Sequence, residues 1–289
     1  SPKNDITADQ VYGSELGYKE AFLKVYGSLS MTSGGGEGAS DLAGIDAGQS
    51  DFLRLYWNIQ QLTSDETLCG WNDPGVPDMV YGTPDADDIM VKGLYTRCIY
   101  TITVANEFLR ESTPDKLSAR GITNTAEIDA YRAEARFVRA YQYWVLLDLF
   151  GNPPFVTEEN LIGKVSPNQI KRPDLFNYVE KELLEIEPLM KAPKQNEYGR
   201  ADQGAVWTLL TRLYLNAQVY TGTAKYTEAI TYANKIINGG YALASNYANL
   251  FLEDNYVTSK DEIIFTINYD GVKTRNYGGT TFLINSLIN

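Results

Sequence analysis

The sequence has 289 residues, of which 25 are Lys or Arg and 37 are Asp or Glu, giving a formal net charge of −12; it has no histidine and two cysteines. The acidic balance argues against nucleic acid or anionic membrane surfaces as partners, because both need a basic patch. The missing histidine removes Ser-His-Asp and Cys-His catalysis and histidine-ligated zinc, leaving carboxylate chemistry, lysine chemistry and plain binding.

With 44% hydrophobic and 21% charged residues, the composition is that of a globular chain. There is no apolar run of about 18 residues that would span a bilayer. Cys69 and Cys98 are too few for a disulfide framework or a zinc site. Tyr (21) outnumbers Phe (10) and Trp (4). Because tyrosine joins an apolar ring to a polar tip, such a surplus suits a core, an interface or a sugar platform equally.

The start, Ser1 to Gln10, is polar and reads as unstructured, with neither a signal peptide nor a lipidation cysteine. Tyr18, Phe22, Val25 and Leu29 then recur at helical spacing, as do Phe52, Tyr56, Ile59 and Leu62. Between about Ser64 and Asp88 lies a long Gly/Pro-rich loop that resists periodic reading. Loops of more than ~12–15 residues inside a compact domain tend to be functional or disordered, and the Trp71, Met79 and Tyr81 of this one argue against disorder.

Helical spacing returns with Tyr95, Cys98, Ile102, Ala105 and Leu109, which makes Cys98 a core residue. The stretch from about Thr125 to Phe150 is apolar on more than one side, as expected of a helix packed between neighbours, and Gly151-Asn152-Pro153-Pro154 ends it. A further helix carries Leu175, Val179, Leu183, Ile186 and Met190, with Pro188 weakening its last turn. Its partner carries Val206, Leu209, Leu210, Leu213, Tyr214 and Ala217, and a third carries Tyr226, Ala229, Ile230, Ala233 and Ile237. After Tyr241 the pattern changes. The β-branched run Ile263-Ile264-Phe265-Thr266-Ile267 predicts a buried strand. A Gly-rich polar stretch leads to the apolar ending Phe282 to Asn289, which carries no stop signal and predicts that the chain is the front part of something longer.

Helix pairs joined by short turns predict a helical repeat array. The clearest register runs from Ala205 to Ala233, with small residues (Ala205, Ala217, Ala229, Ala233) where helices approach closely and large ones (Leu209, Leu210, Tyr214, Tyr226) between them. It resembles a tetratricopeptide repeat, in which stacked helices bury one another, so aromatic stripes there belong first to the core.

Ala133-Glu134-Ala135-Arg136-Phe137-Val138-Arg139-Ala140 followed by Leu147-Asp148-Leu149-Phe150-Gly151-Asn152-Pro153-Pro154 resembles the SusD/RagB family, whose pattern is an Ala-Glu-x-x-Phe-x-Arg-Ala helix running into an aromatic-Gly-x-x-Pro turn. Leu62-Thr63-Ser64-Asp65-Glu66, Arg200-Ala201-Asp202-Gln203-Gly204-Ala205 and Glu262-Ile263-Ile264-Phe265 match in the same order, and the resemblance covers nearly the whole chain. It implies a mainly α fold: tetratricopeptide-like helix pairs in a right-handed array over residues 1–240, then the beginning of an irregular second lobe with a little β-structure over 241–289. It also implies a non-catalytic, lipid-anchored protein on the outer face of the outer membrane, which binds oligosaccharide or polysaccharide and delivers it to a SusC-like TonB-dependent transporter. Contact with the membrane is expected only through an N-terminal lipid anchor, which is expected to lie outside this sequence.

A non-catalytic glycan site needs flat aromatic faces for sugar CH groups and polar side chains for the hydroxyls. Two loops supply that mixture. One is Cys69 to Pro74, with Trp71, Asn72 and Asp73; the alternative role for Trp71 is to pin its loop to the helical core. The other is Tyr269 to Gly279, where Lys273 and Arg275 are donors, Tyr269 and Tyr277 are rings and glycines allow close approach; the alternative is a solvated loop. Tyr81 completes the candidate set. Together the loops look most like those of α-glucan-binding members of the family.

Other signals stay local. Gly34-Gly35-Gly36-Glu37-Gly38 lacks the strand and lysine of a phosphate loop. Asp85, Asp87 and Asp88 are oxygen donors of the kind calcium takes, but no full calcium loop is present and a helix N-cap explains them; no cofactor is expected. Arg132, Arg136 and Arg139 share a helix face and are expected to pair with a neighbouring helix's carboxylates. Two other function classes stay open: a protein-interaction scaffold of tetratricopeptide type, and a glycoside hydrolase using Asp65, Glu66 or Asp73.

Overall fold

The computed structural model describes residues 7–36, 38–160, 163 and 166–286. The expectations for the first six residues, for Glu37 of the glycine loop and for the chain's last three residues lie outside the described part. In chain order the longer helices are α1 (Glu15–Ser30), α2 (Phe52–Gln61), α3 (Ile89–Glu111), α4 (Ala126–Leu149), α5 (Arg172–Ile186), α6 (Gln203–Leu215), α7 (Tyr226–Ile237) and α8 (Gly279–Ser286). Among the described residues the β-structure is a single antiparallel bridge, Pro154 to Gln169. The mainly α class expected from the periodicity is therefore the one observed.

The chain forms two compact units, one of Ser1–Phe22 and Ala105–Thr266, the other of Leu23–Val104 and Ile267–Asn289. This division does not follow the change of pattern after Tyr241, because each unit draws on two separate stretches of chain.

In the first unit α4 packs on α5, and α6 packs on α7. Phe137, Val138, Trp144, Val145 and Leu147, on more than one side of α4, are buried, while Tyr141 and Leu149 stay partly exposed. Its end is chemically specified. Gly151 adopts φ 74°, in the left-handed region open to glycine. Asn152 Oδ1 then accepts the Arg172 N–H at 2.7 Å, so the turn after α4 caps the start of α5.

The arginine face of α4 behaves as expected at two of three positions. Arg136 pairs with Glu182 (2.8 Å) and Glu185 (2.5 Å), and the buried Arg139 pairs with Glu182 (2.8 Å) and Glu158. Arg132 instead donates to the Leu109 carbonyl (2.7 Å) and the Ser112 hydroxyl (2.8 Å). Pro188 converts the end of α5 into the 3₁₀ turn Glu187–Leu189.

Three expectations are corrected. The strand over Ile263–Ile267 does not form: a β-branched run needs a partner ladder, and none is assigned among the described residues. Phe265 is held by its ring instead, edge-on to Phe137 (5.4 Å) and Tyr141 (6.2 Å). On α7 only Ala229 is buried, while Tyr226, Ile230 and Ile237 stand 50%, 62% and 71% exposed, so Tyr226 is not core packing. Finally, the long loop before α3 contains a helix, Val76–Tyr81, set between the left-handed Gly75 and Gly82 with a proline in its first turn. It is too short to show a period.

In the second unit Val25 and Leu29 of α1 and Cys98 and Ile102 of α3 lie in the core, and both cysteines are free thiols. Gly93 of α3 sits where a Cβ would come within 2.7 Å of Ile45 and 2.9 Å of Leu55, so the close approach to α2 depends on the missing side chain. Fully buried Arg97 ties the loops to α3, donating to the Ser50 carbonyl at 2.7 Å and the Thr32 carbonyl at 3.3 Å.

Candidate functional site

Both candidate loops belong to the second unit, and both attach to the first turn of α2. Asp51 is the N-cap of that helix and accepts the Leu53 and Arg54 amides at 3.1 and 3.4 Å. The same buried carboxylate accepts the Gly279 amide at 2.8 Å and the Tyr269 hydroxyl at 3.0 Å, which fixes the later loop to α2. Burial pushes the Asp51 carboxyl up from its ordinary value, against the lowering by its hydrogen bonds. Burial and the neighbouring Asp51 charge push the Tyr269 phenol well up, so the phenol stays a donor.

Arg54, three residues on, organises the earlier loop. Only 3% exposed, it donates to the Gly48 carbonyl at 2.8 Å and to Asp73 Oδ2 at 2.5 Å. Its guanidinium lies 3.9 Å from the centroid of the Phe282 ring on α8. Trp57 and Trp71 meet that ring edge-on, at 6.0 and 5.5 Å. Phe282 is thus an aromatic hub under a cation, with α8 packed on α2 around it.

The structure places the candidate residues as follows. Trp71 is half-buried: one edge holds its loop on Phe282, while part of the indole remains at the surface. Asn72 is exposed beside it, and the half-exposed Asp73 carboxylate faces Arg54. Tyr269 is committed through its hydroxyl to Asp51. Tyr277 is 58% exposed and lies next to Gly48, whose carbonyl Arg54 holds. Lys273 and Arg275 are exposed on a turn closed by Asp270, whose Oδ1 accepts the Val272, Lys273 and Thr274 amides at 2.7 to 2.9 Å. Those amides, Thr274 first, hold the Asp270 carboxyl down to about 2. Tyr81 is 78% exposed, and among the described residues no hydrogen bond or ring contact ties it or Lys273 to the Arg54 centre.

Spacing did not single out the residues that join the loops, namely Asp51, Arg54, Trp57 and Phe282. One signal was available: an Asp directly before an apolar helix is an N-cap, and an Arg one turn into the Phe52-Leu53-Arg54-Leu55 face has to be paired if buried.

The carboxylates here are engaged structurally. Asp73 pairs with Arg54, Asp51 caps α2, and Asp270 closes its own turn. Asp65 and Glu66 lie exposed on a separate turn. Before α3, Asp88 caps the Met90 and Val91 amides (2.7 and 3.2 Å), Asp85 accepts the Asp87 amide, and Asp87 pairs with Lys92. What remains is a surface of partly exposed rings, Trp71 and Tyr277, bordered by the Asn72 amide and the Asp73 carboxylate, suited to a neutral polyhydroxylated ligand.

No protein-family model matches the chain. Starch-binding protein SusD of Bacteroides thetaiotaomicron is 40% identical over 280 residues, covering 96% of this chain and 49% of that protein. A SusD-like protein of Formosa agariphila is 26% identical over 157 residues, 51% of this chain and 27% of its own length. Among solved structures, a SusD-like carbohydrate-binding protein from Bacteroides fragilis has a TM-score of 0.66 at 23% identity, covering 88% of this chain and 46% of that one. A laminarin-binding SusD-like protein has a TM-score of 0.65 at 22% identity, covering 86% and 50%. The chain is SusD-like in sequence and in fold, and it spans about half the length of the first curated relative it matches.

Proposed function

We propose that this SusD-like chain belongs to a non-catalytic cell-surface protein that binds neutral oligosaccharide or polysaccharide and passes it to a SusC-like TonB-dependent transporter of the outer membrane. A starch-like α-glucan is the first candidate, because the 40% identical relative is a starch-binding protein. The observation that carries the reading is the clamp at α2. Asp51 and Arg54 fix two loops that differ widely in sequence position, and the surface they hold presents Trp71 and Tyr277 with Asn72 and Asp73. A pre-formed platform avoids the ordering cost that a flexible loop would incur on binding. Anchoring at the outer membrane through a lipid is part of the same proposal.

Isothermal titration with maltoheptaose, alongside β-glucan and xylan oligosaccharides, tests it. The expected result is binding of one class, weakened about tenfold or more by Trp71→Ala and by Tyr277→Ala. Absence of binding to every saccharide, by this chain and by a longer form, overturns it. Release of reducing ends by the purified protein would restore the hydrolase alternative.

A protein-interaction role has one observation in its favour, the apolar face that α7 exposes through Tyr226, Ile230 and Ile237. It lies in the first unit and uses none of the candidate glycan residues. Retention of a SusC-like transporter on the immobilised protein, lost on Ile230→Glu, is its test.

A further inference from the structure

The first unit contains a cleft of about 420 Å³ that the glycan platform does not use. Its walls come from the loop between α5 and α6 (Lys194 to Asp202), from Tyr241 and from the non-helical stretch Lys260 to Thr266. The volume falls in the range of sites that hold small ligands.

The cleft is held rigidly. Lys194 has φ 63°, the one non-glycine residue with positive φ among the described residues. Its amide donates to Asp202 Oδ2 at 2.6 Å, and its ammonium donates to the Gly240 carbonyl at 3.0 Å and to Asp261 at 2.6 Å. Asp202 is itself the N-cap of α6 and also accepts the Tyr241 hydroxyl at 3.3 Å. A left-handed lysine persists only where the surroundings over-determine it, and here helix cap, ion pair and phenol all converge on the same loop.

The charges around the cleft are matched. Lys194 and Lys260 act on Asp261, and Arg200 pairs with Glu134 at 2.5 Å and Glu197 at 3.7 Å. The cleft therefore favours a neutral ligand over an ion. The apolar surface is Ile263, Ile264 and Phe265, with Phe265 braced by Phe137 and Tyr141. At the rim, Tyr198 is 46% exposed, and its ring centroid lies 6.0 Å from that of Tyr256, itself 53% exposed. Flat rings beside matched donors and acceptors are what pyranose CH faces and hydroxyls require.

We propose that this cleft is a second saccharide-contact site, distinct in its residues from the Trp71–Tyr277 platform. The proposal rests on the glycan-binding reading and extends it by assigning the first unit a saccharide contact of its own.

The test is titration of the full chain, carrying ring-labelled tyrosine, with maltoheptaose, reading the NMR signals of Tyr198, Tyr256 and Tyr277 assigned by single Tyr→Phe variants. The expected result is that Tyr198 and Tyr256 shift in the Trp71→Ala variant as in wild type. Tyr198→Ala should weaken the step reported by Tyr256 about tenfold and leave the Tyr277 response unchanged. Tyr198 is half exposed, so its replacement leaves the core intact. A Tyr277 shift at saturating sugar with Tyr198 and Tyr256 unmoved overturns the second site and leaves the platform standing. Shifts at Tyr198 and Tyr256 alone sustain the cleft and remove the platform. No shift at any tyrosine removes both.

Discussion

The Arg54 guanidinium lies 3.9 Å from the centroid of the Phe282 ring, although 228 positions separate the two residues in the chain. The contact joins a helix of the early chain to one of the late chain, and both candidate glycan loops hang from it. Arg54 reaches Asp73 and the Gly48 carbonyl with different nitrogens while its central carbon sits over the ring. Lysine offers no planar fork and no stacking face. Arg54→Lys is therefore expected to destabilise the protein by about 2 kcal/mol, mostly through the Gly48 bond and the ring contact, since Asp73 is partly solvated. Hydrogen exchange should accelerate across residues 69–75 and 269–279 and stay unchanged in α4 and α5. Acceleration spread evenly over the chain would show that Arg54 acts on global stability and not on the loops.

The Asp51–Tyr269 pair makes a separate claim. Removing the phenol leaves a buried carboxylate short of a donor, at a cost of about 1.5 kcal/mol. In the double-mutant cycle Tyr269→Phe and Asp51→Asn should be non-additive by about 1 kcal/mol or more, read from urea unfolding. Tyr269→Phe should also weaken saccharide binding although its ring remains. If binding is unchanged while stability falls, the hydroxyl serves the fold alone.

The sequence made the helices legible wherever burial repeated often enough. Val138, Val145, Leu209 and Leu213 recur over several turns, so the periods of α4 and α6 stand out, and the mixture of rings and polar groups singled out the two candidate loops. What joins the loops was not legible, because it depends on partners far along the chain. Arg54 reads as a polar residue on a helix until Phe282 is known to cover it. In the sequence Trp71 suits both a sugar contact and a pin, and it is half-buried because its contact with Phe282 takes the pinning role. The run at Ile263 failed as a strand for the converse reason: local propensity marks what fits a sheet but cannot provide the neighbouring strand.

Glu182 gives the first unit an acid limit. Burial pushes its carboxyl up, but the hydrogen bonds and charges of Arg136 and Arg139 outweigh this and hold it below the usual glutamate value. A folded-state value below the unfolded one contributes stability that is complete above the ordinary value of ~4.3 and is lost as pH falls through the folded value. Asp51 has the opposite sign: its value is raised, so its ionised form costs stability at neutral pH and the cost is relieved on acidification. Thermal unfolding followed from pH 7 downward should therefore show a falling acid limb that Glu182→Gln flattens. At pH 7 the same change should cost about 3 kcal/mol, because Arg139 is buried and loses a partner. An unchanged acid limb in the variant would move the acid sensitivity elsewhere.

Gly278 and Gly271 separate two reasons for a glycine in the same loop. A Cβ at Gly278 would lie 2.0 Å from Asp51 Oδ1 and 2.8 Å from the Gly48 carbonyl oxygen, a buried carboxylate and a backbone atom that cannot swing aside. At Gly271 nothing lies within 4 Å, but φ is +69°, so alanine meets conformational strain in open space. Gly278→Ala is expected to cost about 3 kcal/mol and to disturb the Asp51 clamp; Gly271→Ala is expected to cost about 1 kcal/mol and to leave the clamp in place. Saccharide titration makes the distinction sharper than stability alone, with binding lost in the first variant and kept within about twofold in the second, a difference of ~0.4 kcal/mol or less. Equal loss in both would mean that the turn around Asp270, rather than the clamp at α2, positions the binding surface.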